Sequence, residues 1–251
     1  MSGGDPGTGD GPVATLWCVV PAAGTGSRMG ADVPKQYLPL AGRPLLAWTL
    51  DALLAVDPAG LVLVLAPGDD RGLTAPWIDA RVERLPRGGA SRAETVLAGL
   101  DHLQGRAAPD DLVLVHDAAR PCIAPVLVRR LVAAVAGEAD GGLLAVPVAD
   151  TVKAAVADDG ASVPARIATT LDRRHLWLAQ TPQVFPFRRL HDALRGAVSA
   201  GRTVTDEAAA IEAVGGRPLL VPGTTANLKV TRPEDLPLAE FWIARQQEQE
   251  A

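Results

Sequence analysis

From Thr15 onward, short apolar runs of strand length alternate with stretches in which apolar residues recur every three or four positions. That rhythm predicts a mostly parallel sheet with helices on both faces. Thr15–Val20 reads as the first strand and Leu61–Ala66 as the second, with Gly60 and Pro67-Gly68 bracketing the latter. Between them, Leu45, Leu46, Trp48, Thr49 and Leu53 keep helical spacing over Pro44–Ala55. Ser91 and Glu94 form an S-x-x-E capping box, and Val96, Leu97, Leu100 and Leu103 follow at helical spacing, so a helix is expected from Arg92. Leu112–Val115 and Gly142–Val148 read as strands, with a helix over Val126–Ala136 between them.

At Asp150 the rhythm breaks. Residues 151–156 are strand-like, Asp158-Asp159-Gly160 is a turn and Ser162–Thr169 is extended again, which predicts an inserted β-hairpin. Such a hairpin has little core of its own, so a second subunit is the expected support. The chain then returns through Trp177–Gln183 to a helix over Phe187–Ala200, a helix opened by Thr205-Asp206 and a strand at Leu219–Val221. Asn227–Val230 is expected to be a short strand. Thr231–Glu234 is expected to be a second capping box, opening a closing helix over Pro233–Gln247.

The densest chemistry lies in Val19–Tyr37. Gly24 and Gly26 let the backbone turn and approach a ligand closely. A turn of this kind aims several N–H groups at one point, which suits phosphate oxygens. Arg28 adds a planar fork and Lys35 a compact cation. Three other readings compete: a plain strand-to-helix turn, solvated surface charges, and a Rossmann dinucleotide fingerprint. The fingerprint fits poorly, because Gly30 falls one place late and Met29 occupies the position where the pattern needs its third glycine. Pro34 also pushes Val33 toward extended geometry and away from a continuous helix.

Composition narrows the field. The chain has 251 residues and 48% hydrophobic content, enough for one full α/β domain. A net charge of −5 argues against a nucleic-acid surface and means that an anionic substrate must be met by locally placed cations. Cys18 and Cys122 fit neither a metal nor a disulfide pattern, and read as buried free thiols in a reducing compartment. No apolar run reaches the length of a membrane span. Residues 1–13 carry no signal-peptide pattern and read as a disordered tail, so a cytoplasmic protein is expected, with one domain over 14–251 and an arm at about 149–175.

Other loops carry polar groups to the same sheet edge. Gly88-Gly89 precedes the Arg92 helix, whose N-terminus is a natural anion or polar-ligand site. After Leu112–Val115 comes His116-Asp117-Ala118-Ala119-Arg120-Pro121, where ligands sit in open α/β sheets. Asp117 could hold a cation or a ligand hydroxyl and Arg120 an anion, or the two could form a loop salt bridge. His116 reads as a packed strand-end residue. Lys229, at a strand end just before the closing helix, is placed to reach the sheet's ligand edge.

Taken together, PAAGTGSRMGADVPKQY, GGASRAETVLAGL, VHDAARP, PVADTVK, LWLAQTPQVF, TDEAAAIEAVGG and NLKVTRPEDLPLAE resemble the 2-C-methyl-D-erythritol 4-phosphate cytidylyltransferase family from about Trp17 to Glu240. The first motif is shared with many nucleotidyltransferases; the combination in this order is specific. Thr95 stands where the family often has serine, and the hydroxyl is kept. The resemblance implies a Rossmann-like, mostly parallel twisted sheet flanked by helices (the nucleotidyltransferase fold), with the hairpin as a dimerisation arm. It implies transfer of CMP from CTP to methylerythritol 4-phosphate, with Mg²⁺ and release of pyrophosphate, in the non-mevalonate route to isoprenoid precursors. By the same resemblance Ala22, Ala23, Gly24, Gly89 and Thr95 line the cytidine and ribose pocket, and Arg28 and Lys35 hold the triphosphate. Asp117, Arg120, Thr181 and Lys229 surround the acceptor or the reacting phosphorus, while Gly26, Arg92 and Ala118 complete the binding set. Arg28, Lys35 and Lys229 are the expected catalytic cations. Asp117 is the one candidate metal ligand, with Mg²⁺ held mainly through phosphates. Thr151 and Arg173 on the arm would act on a second subunit's site in a homodimer. Ribitol-5-phosphate cytidylyltransferases share most of these motifs and stay open as an alternative, as does a nucleotide-binding protein without turnover.

Overall fold

The computed structural model describes residues 14–24, 33–156 and 165–250. Its first strand, β1 (Leu16–Ala22), explains why the opening run is apolar at every position: both of its faces are buried. Cys18, Val20 and Ala22 join one core, while Trp17 and Val19 join another on the opposite face. Two short strands, β2 (Pro39–Leu40) and β3 (Arg43–Pro44), lead to helix α1 (Leu45–Leu54). Then come β4 (Gly60–Leu65), α2 (Asp70–Thr74), β5 (Val82–Leu85), α3 (Arg92–Leu103), β6 (Leu112–Val115), α4 (Pro125–Val135) and β7 (Gly142–Pro147). The arm strands β8 (Val152–Ala155) and β9 (Ile167–Leu171) follow. The chain closes with β10 (Trp177–Pro186), α5 (Phe187–Ser199), α6 (Glu207–Glu212), β11 (Leu219–Pro222) and α7 (Asp235–Glu250).

Seven strands form the central sheet in the order β11-β7-β10-β6-β1-β4-β5. Every pairing is parallel except those of β10, which runs antiparallel to both β6 and β7. The expected α/β fold with a mostly parallel sheet is therefore present. Leu46, Leu50, Val128 and Leu131 from α1 and α4 fill one core. Val96 and Leu100 from α3, with Leu190 and Leu194 from α5, fill the other. A third cluster, built on Leu40, Leu45, Val230, Ala239 and Ile243, seats α7 against the β2–β3 turn.

Several expected boundaries move. Residues 227–230 are not a strand. Their backbone is held by single bonds, with the Val230 N–H donating to Ala119 O at 2.8 Å, and the Asn227 side chain donating to Thr181 O at 2.8 Å. The closing helix starts at Asp235 rather than Pro233, because the Asp235 carboxylate, not that of Glu234, accepts the Thr231 and Arg232 N–H groups. In the arm, β8 and β9 pair antiparallel, β9 running Ile167–Leu171, while the expected turn at 158–160 and the start of the second extended segment at Ser162 lie outside the described residues. Val156, Ile167, Leu171 and Leu178 are exposed on and beside this arm.

Candidate active site

Parallel pairing of β1 with both β4 and β6 brings three strand ends, and the loops that leave them, to one edge of the sheet. The Gly88 N–H donates to Leu65 O at 2.8 Å, which ties the loop before α3 to the end of β4. Room there is minimal: a Cβ on Gly88 would sit 2.2 Å from that of Ala23. Between these loops lies a cleft of about 370 Å³. Ala22, Ala23 and Gly24 line it from the end of β1, Gly89 and Arg92 from the start of α3, and Asp117 and Ala118 from the loop after β6, with Lys35 and Lys229 also lining it.

Each charged group is set by local structure. Pro34 is extended and a single 3₁₀ turn, Lys35–Tyr37, follows it. The buried Gln36 amide donates to Ala22 O at 2.9 Å, which pins that turn to the end of β1 and so orients Lys35. At α3 the capping box is present: the Ser91 hydroxyl accepts the Glu94 N–H, and the Glu94 carboxylate accepts the Ser91 N–H. The Thr95 hydroxyl lines the cleft but is already engaged, accepting from the Gly89 N–H at 3.2 Å and donating to Ser91 O at 2.9 Å. Its work is to shape the Gly89 backbone.

Asp117 is the hub. Lys229 Nζ lies 2.7 Å from its Oδ2, Arg92 Nε 2.9 Å from its Oδ1, and Arg120 Nε 3.9 Å from Oδ2. Burial opposes ionisation of this carboxyl, but the charges of Arg92 and Lys229 outweigh it and hold the pKa well below the carboxylate range. Arg92 is bidentate to Glu207, at 2.6 and 3.1 Å. Behind the hub, the Asp117 N–H donates to Thr181 Oγ at 3.0 Å, and that hydroxyl lies 3.1 Å from His116 Nδ1. His116 Nε2 is 3.1 Å from Arg120 O, which can only accept, so Nε2 carries the proton and Nδ1 accepts from Thr181. Burial lowers the His116 pKa to about 4, keeping it neutral, a packed strand-end residue as its position suggested.

The structure thus gathers most of the expected residues and separates a few. Arg120 and Thr181 stand behind the cleft, Arg120 donating to Asn227 O at 2.7 Å. Thr151 and Arg173 are on the exposed arm, where Arg173 donates to Ala149 O. Gly26 and Arg28 lie outside the described residues. Sequence reasoning missed Gln36 and Glu207. The signal for Glu207 was a charged residue on the same helical stripe as the apolar Ala210 and Ile211.

Among the described residues, no three His, Cys, Asp or Glu side chains group as a metal site. Among the described residues Asp117 is the one carboxylate lining the cleft, and its oxygens already face Arg92 and Lys229. This donor set fits Mg²⁺ bound chiefly by phosphate oxygens and water, with one protein carboxylate at most.

Backbone at Gly24 and Gly89, a helix N-terminus and the cations Lys35 and Lys229, gathered at the carboxyl edge of a parallel sheet, define an enzyme of the nucleotidyltransferase class. Residues 16–245 match the family described as 2-C-methyl-D-erythritol 4-phosphate cytidylyltransferase. The chain is 50% identical over 234 residues to the cytidylyltransferase of that name from Ectopseudomonas mendocina, covering 92% of this chain and 97% of the relative. It is 51% identical over 230 residues to the one from Azoarcus sp., covering 90% and 93%. A crystal structure of a 4-diphosphocytidyl-2C-methyl-D-erythritol synthase superposes with a TM-score of 0.77 at 37% identity, covering 92% of this chain and 98% of that one. This chain belongs to the 2-C-methyl-D-erythritol 4-phosphate cytidylyltransferase family.

Proposed function

We propose that this chain transfers CMP from CTP to 2-C-methyl-D-erythritol 4-phosphate, giving 4-diphosphocytidyl-2-C-methyl-D-erythritol and pyrophosphate. Family membership supports the substrates. The observation that carries the chemistry is that Lys35 and Lys229 line the same cleft, beside the β1 turn, in a chain of net charge −5.

An acceptor phosphate oxygen, already anionic at neutral pH, attacks the α-phosphorus. One P–O bond forms as the bond to the departing pyrophosphate breaks, and no general base is needed. The obstacle is that one polyanion must approach another. The chain's task is to align them and to spread positive charge over the α-phosphoryl group. Lys35, Lys229 and Arg28 are assigned that role. The backbone at Ala23-Gly24 and Gly89 is assigned to the nucleoside, and Asp117 to a substrate hydroxyl. Mg²⁺, brought in on the triphosphate, would neutralise phosphate charge, with Asp117 the residue able to meet it.

The exposed apolar residues of the arm support a homodimer in which Thr151 and Arg173 complete the second subunit's site. Free, buried Cys18 and Cys122 support a reducing, cytoplasmic setting. The direct test is pyrophosphate release with CTP, UTP or ATP and either methylerythritol 4-phosphate or ribitol 5-phosphate. Turnover is expected with CTP and the methylerythritol acceptor; its absence there, or a preference for ribitol 5-phosphate, overturns the assignment.

A further inference from the structure

Glu207 opens α6, yet its side chain is wholly buried. A buried carboxylate is costly unless it is well paired. Its partner is Arg92, which offers both terminal nitrogens at 2.6 and 3.1 Å. That leaves only Nε of Arg92 to reach Asp117 Oδ1, at 2.9 Å. Asp117 Oδ2 is then left to Lys229, at 2.7 Å. Glu207, Arg92, Asp117 and Lys229 thus form a row of alternating sign drawn from four distant segments, ending on the cleft wall.

The far end of the row is anchored. Asp206 caps α6 by accepting the Ala209 N–H at 2.9 Å. The buried Gln183 amide on β10 clamps the same turn, donating to Asp206 Oδ2 at 2.9 Å and accepting the Ala208 N–H at 2.9 Å. The Glu207 carboxylate is therefore fixed relative to the sheet.

We propose that Glu207 is a positioning residue for the transfer reaction, acting through Arg92 and Asp117 to set where the Lys229 ammonium stands in the cleft. With Glu207 in place, the fork of Arg92 is turned away from Asp117. Without it, the two terminal nitrogens lose their acceptors and turn to the nearest other carboxylate, Asp117, displacing Lys229. The kinetic side of this inference rests on the cytidylyl-transfer reading above.

The test compares Glu207→Gln, Glu207→Asp, Arg92→Gln and the double variant Arg92→Gln/Glu207→Gln. Loss of a negative charge would by itself tighten binding of a polyanion, so the positioning signature is a split between constants. Glu207→Gln is expected to lower kcat about 10–100-fold with KM for CTP unchanged or lower, and Glu207→Asp to recover part of the loss. In the Arg92→Gln background, adding Glu207→Gln should raise the melting temperature, because no unpaired buried charge remains, while leaving kcat unchanged. A Glu207→Gln enzyme within about twofold of native kcat overturns the proposal, as does an undiminished further loss in the Arg92→Gln background. If Glu207→Gln does not fold, Glu207→Asp decides: kcat lowered in the native background but not in the Arg92→Gln background supports the role, and kcat unchanged in the native background, or lowered equally in both, refutes it.

A substrate-free readout separates this inference from the functional one. Acylation of Lys229 by an amine-directed reagent, followed by peptide mass spectrometry, should be about threefold faster in Glu207→Gln, and an unchanged rate overturns the proposal. A native chain without pyrophosphate release would refute cytidylyl transfer while leaving the labelling result intact.

Discussion

Replacing Lys229 by alanine removes an ammonium that lines the cleft and lies 2.7 Å from Asp117. Two unit charges 4 Å apart interact by about 4 kcal/mol at an effective dielectric of about 20. The Lys229 side chain is 39% exposed, so solvent screens part of this, leaving about 2–3 kcal/mol for charge developing on the transferred phosphoryl group. That corresponds to about a 30- to 150-fold fall in kcat. The fold should hardly notice, since Asp117 keeps Arg92 at 2.9 Å and Arg120 at 3.9 Å. The assay is steady-state pyrophosphate release at saturating CTP and acceptor, with a melting curve on the same sample. Unchanged kcat with only a raised KM for CTP would refute the reasoning and make Lys229 a ground-state contact.

Four further outcomes are expected. Among the described residues no heavy atom lies within 4 Å of a Cβ added at Gly24, so Gly24→Ala should leave the melting temperature alone. The same methyl should raise KM for CTP by about tenfold if the nucleoside approaches that backbone; an unchanged KM argues against that contact. Thr181→Val strands the Asp117 N–H and should lower stability by about 1–3 kcal/mol in urea unfolding, a loss that a native-like midpoint would disprove. The folded His116 pKa is about 4, against an ordinary 6.5, so as pH falls through this window the unfolded chain takes up a proton that the folded chain refuses. Stability should therefore drop by up to about 3 kcal/mol between neutral pH and pH 4, and His116→Gln should flatten that fall; parallel curves would exclude His116 as the cause. Finally, mixing Arg173→Ala with Lys35→Ala chains should restore activity in mixed dimers, whereas none recovered means that each site is built within one chain.

Local physics was legible where one segment sufficed. The S-x-x-E pattern predicted a helix from Arg92, where α3 starts, and the apolar run Leu112–Val115 is β6 to the residue. Strand β5, with Glu83 and Arg84 between its two apolar ends, offered no run to read. The segment 227–230 looked like a strand, but its partners are single groups on remote segments, the Arg120 side chain and the Thr181 and Ala119 carbonyls, which no local pattern encodes. The same holds for the site. Asp117 and Lys229 were identified singly as polar groups near strand ends. Their pairing, and that of Arg92 with Glu207 across 115 positions, depends on the strand order.

Asp117 gives the cleft a resident counter-ion. Arg92, Arg120 and Lys229 would otherwise repel one another, and the carboxylate holds the three together. An incoming anion must then compete with an internal rival for Lys229 rather than meet a bare charge. Orthophosphate or sulfate has little charge to set against that rival. A chain of linked phosphates brings more negative charge into a cleft lined by both lysines, so a preference for polyphosphates over single anions is the expected consequence of one aspartate.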